Sequence, residues 1–385
     1  MDSQKRVLIL GGGVGGVVSA HYLRKLLPRP YRITVVDREA EQVFAPSLLW
    51  LMIGGRKAKS ISRPLKGLNK KGVEFIHGRI EKISPQNKSV VVSGQELKGD
   101  AVVISLGADT SGKSVPGLEE SGHSMYSLGG ASSIYEKLKS FRAGKIILLT
   151  AAPVYKCPAA PYEAAMLIEY ACRRQGIRDK VQIELYAAEP GPMGTAGPEV
   201  SAAVRKMVED RGVKYFPSHQ VVSVQGPAQT ISFAGGIQTK FDLLFYVPVH
   251  TVPQVVKEAG LTSESGWISV DRHTLETKFD GVFAIGDVTS IPLKMGKPLP
   301  KAGVFAHAQA EIVANNLATK LTGSGEIKHF DGRGQCFIET GDHKAGIGKG
   351  NFFAEPTPQM DMKAPSLKWH IGKILFEKYW LWKWF

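Results

Sequence analysis

The sequence predicts an α/β fold with two Rossmann-like dinucleotide-binding domains and an amphipathic module at the C-terminal end. Three observations lead to this prediction. A glycine-rich turn follows the first apolar run, a Gly-Asp turn follows another apolar run about 270 residues later, and a strand–helix–strand pattern lies between them. Alternating strands and helices of this kind build parallel sheets that are covered by helices on both faces.

Length and charge restrict the class of protein. The chain has 385 residues, which is enough for two packed domains and an appendage. Its formal net charge of +14 suits an anionic membrane surface or anionic substrates. No basic run with interleaved aromatic residues resembles a nucleic-acid module, which argues against nucleic acid as a partner. No run of about 18 apolar residues occurs, and the first apolar run leads straight into a glycine turn, so we expect neither a spanning helix nor an export signal.

The first motif has the spacing G-x-G-x-x-G between a strand and a helix. Its parts in chain order are the strand Arg6–Leu10, the glycines Gly11, Gly13 and Gly16, the helix Val17–Leu27 and the strand Ile33–Val36. The glycines permit a tight turn and a close approach of the backbone to a pyrophosphate, which the helix N-terminus attracts. Asp37 ends the second strand, where it can accept hydrogen bonds from a ribose. A bound dinucleotide is therefore predicted.

The second motif identifies that dinucleotide as FAD. Thr277 precedes an apolar strand that ends in Gly286 and Asp287, and this strand is expected to deliver Asp287 to the ribityl and pyrophosphate region. The strand that ends at Gly107 returns the chain to the first sheet, as is usual in flavoproteins with two dinucleotide domains. We expect no metal ligand set, because the chain has no CxxC or similar spacing.

The helix after this motif begins near Lys301 and Gly303. Its N-terminus is expected to lie against the isoalloxazine ring, where the helix dipole and Lys301 can stabilise a reduced, anionic flavin. An ordinary capped helix is the alternative. The apolar segment 44–55 either lines the flavin or fills the core.

The predicted domain boundaries follow from these motifs. Residues 1–110 and 265–325 form the FAD domain, 111–264 form a second Rossmann-like domain, and 326–385 form the C-terminal module. Segments 73–80 and 88–92 are predicted to be strands of a small β-insert in the first domain.

The second domain lacks the phosphate cradle that a nicotinamide requires. Its first strand, Lys145–Thr150, should lead into a glycine-rich turn, yet no glycine occurs between Lys145 and Glu163. Cys157 occupies the turn instead. The electron donor is therefore predicted not to be a nicotinamide.

Sulfur chemistry is the interpretation that this turn favours. Cys157 and Cys336 could meet over one flavin face, with Lys156 favouring the thiolate and Glu163 acting as a general base. The alternative for each cysteine is a small buried hydrophobic residue. Cys172 lies in the middle of a helix and is predicted to be structural. Three sparse cysteines also fit a reducing compartment better than a secreted disulfide framework.

These residues resemble the sulfide:quinone oxidoreductases and, close beside them, the flavoprotein subunit of flavocytochrome c sulfide dehydrogenase. The resemblance covers nearly the whole chain, and its specific marks are the segments 157–163, 277–287, 300–306 and 336–339. It implies that Cys157 and Cys336 carry sulfide-derived sulfur on one flavin face and that Glu163 is a base. It also implies that Phe337 and Gly303 border a pocket for a membrane quinone.

Two departures from the family pattern affect the interpretation. Many members have a third cysteine shortly before the second domain, whereas 107–144 contains none; this changes the expected sulfur product more than the reaction. No cysteine in 44–51 could hold a covalent flavin, which favours the quinone-linked branch. The alternatives are the flavocytochrome type, a type II NADH:quinone oxidoreductase, and a redox-sensing flavoprotein without turnover.

The C-terminal segment 366–385 combines tryptophan and lysine. Four of the six tryptophans lie in the last 17 residues, and lysines recur between them. Leu367, Ile371, Leu375, Trp382 and Phe385 share one helical face. This composition suits a helix on the headgroup region, so we predict a peripheral membrane protein, with the cytoplasmic face favoured. A helix packed on the body or in a dimer contact is the alternative, and a homo-oligomer stays open.

Overall fold

The computed structural model describes residues 5–385. Its helices are α1 (Val14–Leu26), α2 (Leu48–Met52), α3 (Leu118–Ser121), α4 (Leu128–Ser140), α5 (Ala160–Arg174), α6 (Pro198–Glu209), α7 (Gln254–Glu258), α8 (Gly303–Thr322) and α9 (Leu367–Lys383). Its strands are β1 (Arg6–Leu10), β2 (Arg32–Asp37), β3 (Glu41–Val43), β4 (Ser62–Pro64), β5 (Glu74–His77), β6 (Ile80–Ser84), β7 (Ser89–Val92), β8 (Gln95–Lys98), β9 (Ala101–Ile104), β10 (Asp109–Ser111), β11 (His123–Ser124), β12 (Gly144–Thr150), β13 (Val181–Tyr186), β14 (Lys214–Phe216), β15 (Val221–Gln225), β16 (Thr230–Phe233), β17 (Gln238–Lys240), β18 (Leu243–Val247), β19 (Val249–Thr251), β20 (Ile268–Ser269), β21 (Val282–Ala284), β22 (Thr289–Ser290), β23 (Arg333–Gly341), β24 (Lys344–Asn351) and β25 (Gln359–Ser366).

The first large sheet is parallel and combines two distant parts of the chain. Its strand order is β21-β9-β1-β2-β5. The strands read as continuous apolar runs because both sheet faces are covered, and Val7–Leu10 is fully buried. Strand β21 joins from late in the chain, so the Gly-Asp turn at its end lies at the same sheet edge as the glycine turn after β1.

The segment 73–80 was predicted to be a strand of the small β-insert, and this assignment to a sheet was wrong. Glu74–His77 forms a strand, but it pairs in parallel with β2 at the edge of the main sheet instead of joining an insert. The insert is the antiparallel sheet β6-β7-β8, which begins only at Ile80. The choice of partner depends on long-range register, which local composition does not encode.

The second large sheet is also parallel, in the order β11-β18-β12-β13-β14. It places the turn after β12 at its carboxyl edge, which is where ligands bind in open α/β sheets. The antiparallel pair β10–β19 joins the two segments that cross between the sheets. The exact domain boundaries at 110, 264 and 325 stay a prediction.

The C-terminal segment is an antiparallel meander, β23-β24-β25, followed by the helix α9. The face of α9 that packs on the protein holds Lys373, Glu377, Trp380 and Leu381, all buried. Its outer face is strongly apolar, with Leu375 63% and Trp382 74% exposed. Among residues 5–385, no helix is both long and apolar enough to cross a bilayer.

Candidate active site

The glycine turn after β1 leaves room for a ligand beside the backbone. Gly11 has φ +103°, and a Cβ there would overlap the carbonyl oxygen of Ser105. A Cβ at Gly16 would overlap the carbonyl oxygen of Gly11, so α1 can approach β1 only with glycine at this position. A Cβ at Gly13 would meet nothing within 4 Å. Asp37 braces the turn by accepting the amide N–H of Gly12.

The Gly-Asp turn after β21 holds a hydrogen-bond acceptor that has no donor within the described residues. Gly286 has φ +74° and donates its amide N–H to Gln309 at 2.7 Å, which fixes the turn. The Oδ1 atom of Asp287 is buried and has no hydrogen-bond partner among residues 5–385. Burial raises the pKa of Asp287, while Lys156 and Lys301 lower it. A buried, unpaired carboxylate oxygen fits a ribityl hydroxyl, so these residues fit a flavin dinucleotide.

The loop after β9 and the start of α8 also belong to the candidate flavin site. Gly107 has φ +67°, and a Cβ there would meet nothing within 4 Å. Gly303 is the first residue of α8. The ammonium of Lys301 donates to the carbonyl oxygens of Asp287 and Thr289 at 2.8 and 2.9 Å. Lys301 therefore braces the Gly-Asp turn, and its predicted contribution to a reduced flavin stays a prediction.

At the corresponding edge of the second sheet, an acidic side chain is hydrogen-bonded within the protein. Glu189 follows β13, the region where a nicotinamide-binding domain places its ribose-binding acid. Its carboxylate accepts hydrogen bonds from Thr150, Tyr155 and Tyr162. All four side chains are buried. The polar groups that would hold a second nucleotide are thus already paired within the protein.

The turn that carries Cys157 is tied to the flavin-side helix. Cys157 has φ +52°, in the left-handed region, and donates its amide N–H to the Lys301 carbonyl at 2.6 Å. The Tyr126 hydroxyl donates to the carbonyls of Lys156 and Cys157 at 2.8 and 3.3 Å. This strained turn is held from both sides, which fixes the cysteine next to the start of α8.

Cys336 reaches the same neighbourhood from β23. Glu163, in the first turn of α5, accepts the amide N–H of Glu339 at 2.8 Å and so anchors β23 beside the Cys157 turn. Burial raises the pKa of Cys157 well above its usual value, and the proximity of Cys336 and then of Glu163 raises it further. Burial, followed by Glu163, raises the pKa of Cys336 to about 12. The two thiols are both free and partly exposed, and Glu163 and Lys373 act on the pKa of each.

The prediction that Lys156 favours the thiolate was wrong. Desolvation raises the pKa of both thiols, and the cation that lowers the pKa of each is Lys373 from the C-terminal helix. Lys156 instead lowers the pKa of Asp287 and of His250. Cys172 lies apart from this site, inside α5, where burial raises its pKa to about 11.

Lys373 belongs to a buried charge cluster that sequence reasoning missed. Its ammonium lies 2.9 Å from Glu163 Oε2. Burial lowers the pKa of Lys373, but Glu163 and Glu339 raise it more, so the ammonium stays charged. Glu339 in turn lies 3.0 Å from Nδ1 of His370. One signal was present: Lys373 and Glu377 are opposite charges four residues apart in an aromatic-rich helix.

Phe337 faces away from the cysteines, towards α9. Its ring centroid lies 6.5 Å from that of Phe376, and Phe376 lies 5.8 Å from Phe44. Trp380 lies 5.5 Å from Phe44 on the other side. Segment 44–55 therefore packs against the C-terminal helix. Phe376 is 43% exposed, so this aromatic cluster extends from Phe337 to the outer apolar face of α9.

Two parallel dinucleotide-type sheets, with a glycine turn and a Gly-Asp turn at the edge of the first, are typical of a flavin-dependent oxidoreductase. A profile of the pyridine nucleotide-disulphide oxidoreductase family matches residues 5–310, and the chain belongs to that family.

Individual members of the family show which enzymes this chain is similar to. The sulfide-quinone reductase of Aquifex aeolicus (strain VF5) is 29% identical over 98% of this chain and 91% of its own length. The mitochondrial sulfide:quinone oxidoreductase of Mus musculus is 25% identical over 91% of this chain and 79% of its own. The X-ray structure of the sulfide:quinone oxidoreductase from Aquifex aeolicus superimposes with a TM-score of 0.89, at 25% identity, over 99% of this chain and 91% of that one. A type II NADH:quinone oxidoreductase of Staphylococcus aureus is 23% identical over 92% of this chain and 91% of its own length.

Proposed function

We propose that this chain is an FAD-dependent sulfide:quinone oxidoreductase. The observation that carries the proposal is that Glu163, paired with Lys373, anchors the strand of Cys336 beside the Cys157 turn, which is bonded directly to Lys301. The names of the similar proteins, and their coverage of nearly the whole chain, support it.

Each cysteine and each charged neighbour is proposed to have its own part in the reaction. Hydrosulfide attacks a disulfide between Cys157 and Cys336, which leaves a persulfide on one cysteine and a thiolate on the other. Lys373 stabilises that negative charge, because it lowers the pKa of both thiols. The thiolate and the persulfide then join as a trisulfide, which releases two electrons and a proton, and Glu163 is proposed as the proton acceptor. A flavin, which the two glycine turns and Asp287 would hold, would supply the two-electron acceptor for this oxidation, with a quinone as the final acceptor.

The hydrogen bonds of Glu189 and the turn without glycine support sulfide over a nicotinamide as the electron donor. Glu189 already accepts three hydrogen bonds from the protein, and the turn after β12 lacks glycine until past Glu163. A bound nicotinamide dinucleotide would have to displace those buried hydrogen bonds, at a cost of about 1–3 kcal/mol for each group left unpaired. The type II NADH:quinone function is the weaker candidate for this reason.

The quinone is proposed to enter beside Phe337. The aromatic cluster of Phe337, Phe376 and Phe44 gives an apolar surface that reaches from the outer face of α9 to β23. Phe337 and Cys336 are neighbours on a strand and point to opposite sides of it. This geometry keeps the polar sulfur chemistry and the apolar acceptor apart.

The outer face of α9 is proposed to sit on a membrane surface. Six large apolar side chains are exposed along this helix: Leu367, Ile371, Leu375, Phe376, Tyr379 and Trp382. Four of the five residues predicted for this face are among them, whereas Phe385 is partly buried against Trp380, and Phe376 and Tyr379 are exposed in addition. A contiguous apolar face with flanking lysines suits the headgroup boundary. The cytoplasmic side and a homo-oligomer both stay predictions.

The activity is tested by following the reduction of a short-chain quinone by sulfide in detergent. The proposal expects quinone reduction that requires sulfide and is not supported by NADH. NADH-dependent reduction without a response to sulfide would assign the chain to the type II class. Loss of sulfide-dependent activity in Cys157→Ser and Cys336→Ser would exclude a sensing protein without turnover.

The proposed membrane seating is tested with substitutions, because a truncation would also disturb the proposed active site. Removing 366–385 would also remove Lys373 from Glu163 and so disturb the site. Leu375→Gln with Trp382→Gln should weaken binding to lipid vesicles by about tenfold or more, because both side chains would be buried in lipid. The matched control, Val222→Gln with Ile237→Gln, changes exposed apolar residues of the second domain and should bind as the parent does. Equal binding by all three proteins would contradict the proposed seating.

A further inference from the structure

A surface cavity of about 470 Å³ lies outside the site described above. It opens between the C-terminal ends of α4 and α5 and the loop after α2. Its polar lining includes the cations Lys139, Arg142 and Arg174 and the phenol groups of Tyr135 and Tyr170. We call it the basic cavity.

The cations of the basic cavity have no carboxylate partners among residues 5–385. Their neighbours do: Arg173 pairs with Glu169 and Asp342, and Arg178 pairs with Glu169. Arg174 instead lies over the ring of Tyr170, 5.7 Å from its centroid. Arg142 uses one guanidinium nitrogen to bond carbonyls at the end of α4, which leaves its other donors free.

Three positive groups around one cavity favour a ligand with concentrated negative charge. Placement at two helix C-termini accounts for basic residues in general, since cations complement the helix dipole there. It does not account for their convergence on one space that also presents two phenol groups. Arginine, lysine and tyrosine together are well suited to phosphate oxygens.

The basic cavity lies close to one end of α9. Within it, Tyr170 has its ring centroid 6.2 Å from that of His343, and His343 lies 5.4 Å from His370. His370 is in the first turn of α9, next to the exposed Ile371. The loop that lines the cavity at Ile53 follows α2, whose Trp50 also contacts His370. A chain of two histidine side chains thus links the lining of the cavity to the first turn of α9.

We propose that the basic cavity binds the phosphate headgroup of an anionic phospholipid. The inference rests on the proposed seating of α9 on a bilayer, and it adds a lipid preference to that seating. The apolar face supplies affinity for any bilayer, and the cavity supplies selectivity for anionic lipid. The net charge of +14 adds a general attraction that the experiment must separate from the specific site.

Co-sedimentation with vesicles of phosphatidylcholine, with and without phosphatidylglycerol, tests the proposal. Lys139→Gln with Arg174→Gln should weaken binding to the phosphatidylglycerol vesicles by about tenfold. Binding to phosphatidylcholine alone should not change. The control Lys240→Gln with Lys257→Gln removes the same charge from exposed sites elsewhere and should change binding by less than about twofold. The charge-conserving pair Lys139→Arg with Arg174→Lys should retain binding.

Three outcomes would overturn the inference. Equal losses in the cavity variant and the control would show general electrostatics only. Unchanged binding in the cavity variant would show that the cavity has no part in lipid binding. Binding of inorganic phosphate that Lys139→Gln with Arg174→Gln removes, without any preference of the parent for phosphatidylglycerol vesicles, would assign the cavity to a free anion.

The same vesicle experiment distinguishes a failure of the proposed α9 seating from a failure of the lipid preference. If the parent binds neither kind of vesicle, the proposed seating of α9 is wrong. If the parent binds both kinds equally and the Leu375→Gln, Trp382→Gln variant binds neither, the seating holds and only the lipid preference fails.

Discussion

Lys373 Nζ lies 2.9 Å from Glu163 Oε2, and both side chains are buried, at 4% and 2% exposure. This contact links the last helix of the chain to the helix that follows Cys157. The same ammonium lowers the pKa of both thiols. The C-terminal helix therefore contributes to the proposed active site as well as to the proposed membrane surface.

The first prediction concerns this pair. Lys373→Met should destabilise the protein by about 3–5 kcal/mol, because the Glu163 carboxylate would stay buried without its partner. Adding Glu163→Gln should recover most of that loss, since the remaining side chains are neutral. Denaturant unfolding of the parent, the two single variants and the double variant measures the coupling. Strictly additive losses would show that the pair is not coupled.

The second prediction uses the same variant to examine the thiols. Without Lys373, the cation that lowers the pKa of Cys157 and Cys336 is absent. Alkylation of the reduced protein should then require a higher pH, because the thiolate is the reacting form. Lys368→Met, on the exposed part of the same helix, is the matched control and should leave the alkylation profile unchanged. An unshifted profile in Lys373→Met would exclude this electrostatic role.

The third prediction concerns the cysteines themselves. Cys157→Ser and Cys336→Ser should each lower sulfide-dependent quinone reduction by about a hundredfold or more, because each removes a sulfur that must carry the substrate. Cys172→Ala should retain most activity, since Cys172 is enclosed in α5, away from both. Steady-state rates of sulfide-dependent quinone reduction, measured with detergent-solubilised protein, test this prediction. Comparable losses in all three variants would point to damage of the fold instead.

Much of the flavin-binding side could be predicted from the sequence, because it depends on local patterns. The glycines at 11–16 and the turn at Gly286 are required where φ is positive or the backbone approaches closely. The apolar runs that became β1, β12 and β13 are likewise local signals. The lack of a phosphate cradle after β12 could also be predicted, because the sequence shows directly that this turn has no glycine.

The charge cluster could not be predicted in the same way. Glu163 and Lys373 are 210 residues apart, and their contact depends on how α9 docks. A lysine in a tryptophan-rich helix looks like a snorkelling side chain, so Lys373 was grouped with the exposed lysines. The pairing of β5 with β2 was missed for a related reason, because strand partners are chosen by tertiary packing.

The fourth prediction concerns acid stability. His250 is 6% exposed, and burial, then Lys156 and Lys301, lower its pKa to about 3, against a hydrogen bond to Pro248 that raises it. Between pH 6.5 and pH 3 the unfolded chain therefore binds a proton that the folded chain does not. Stability from this residue is fully present above pH 6.5 and is lost as the pH falls, by up to about 1.4 kcal/mol per pH unit.

Replacing this histidine isolates its contribution. His250→Asn keeps a donor for the Pro248 carbonyl but does not titrate in this range. The stability difference between parent and variant should change by about 2 kcal/mol in favour of the variant from pH 7 to pH 4.5. Urea unfolding at both pH values measures it. Parallel losses in the two proteins would show that His250 is not a buried neutral group.

The central claim is that sulfide, and not a nicotinamide, reduces the flavin through the two cysteines. Anaerobic mixing of the flavin-loaded protein with sulfide or NADH, followed by flavin absorbance, tests it most directly. The account predicts rapid bleaching by sulfide, little by NADH, and loss of the sulfide response in Cys157→Ser. Rapid bleaching by NADH with no response to sulfide would contradict it.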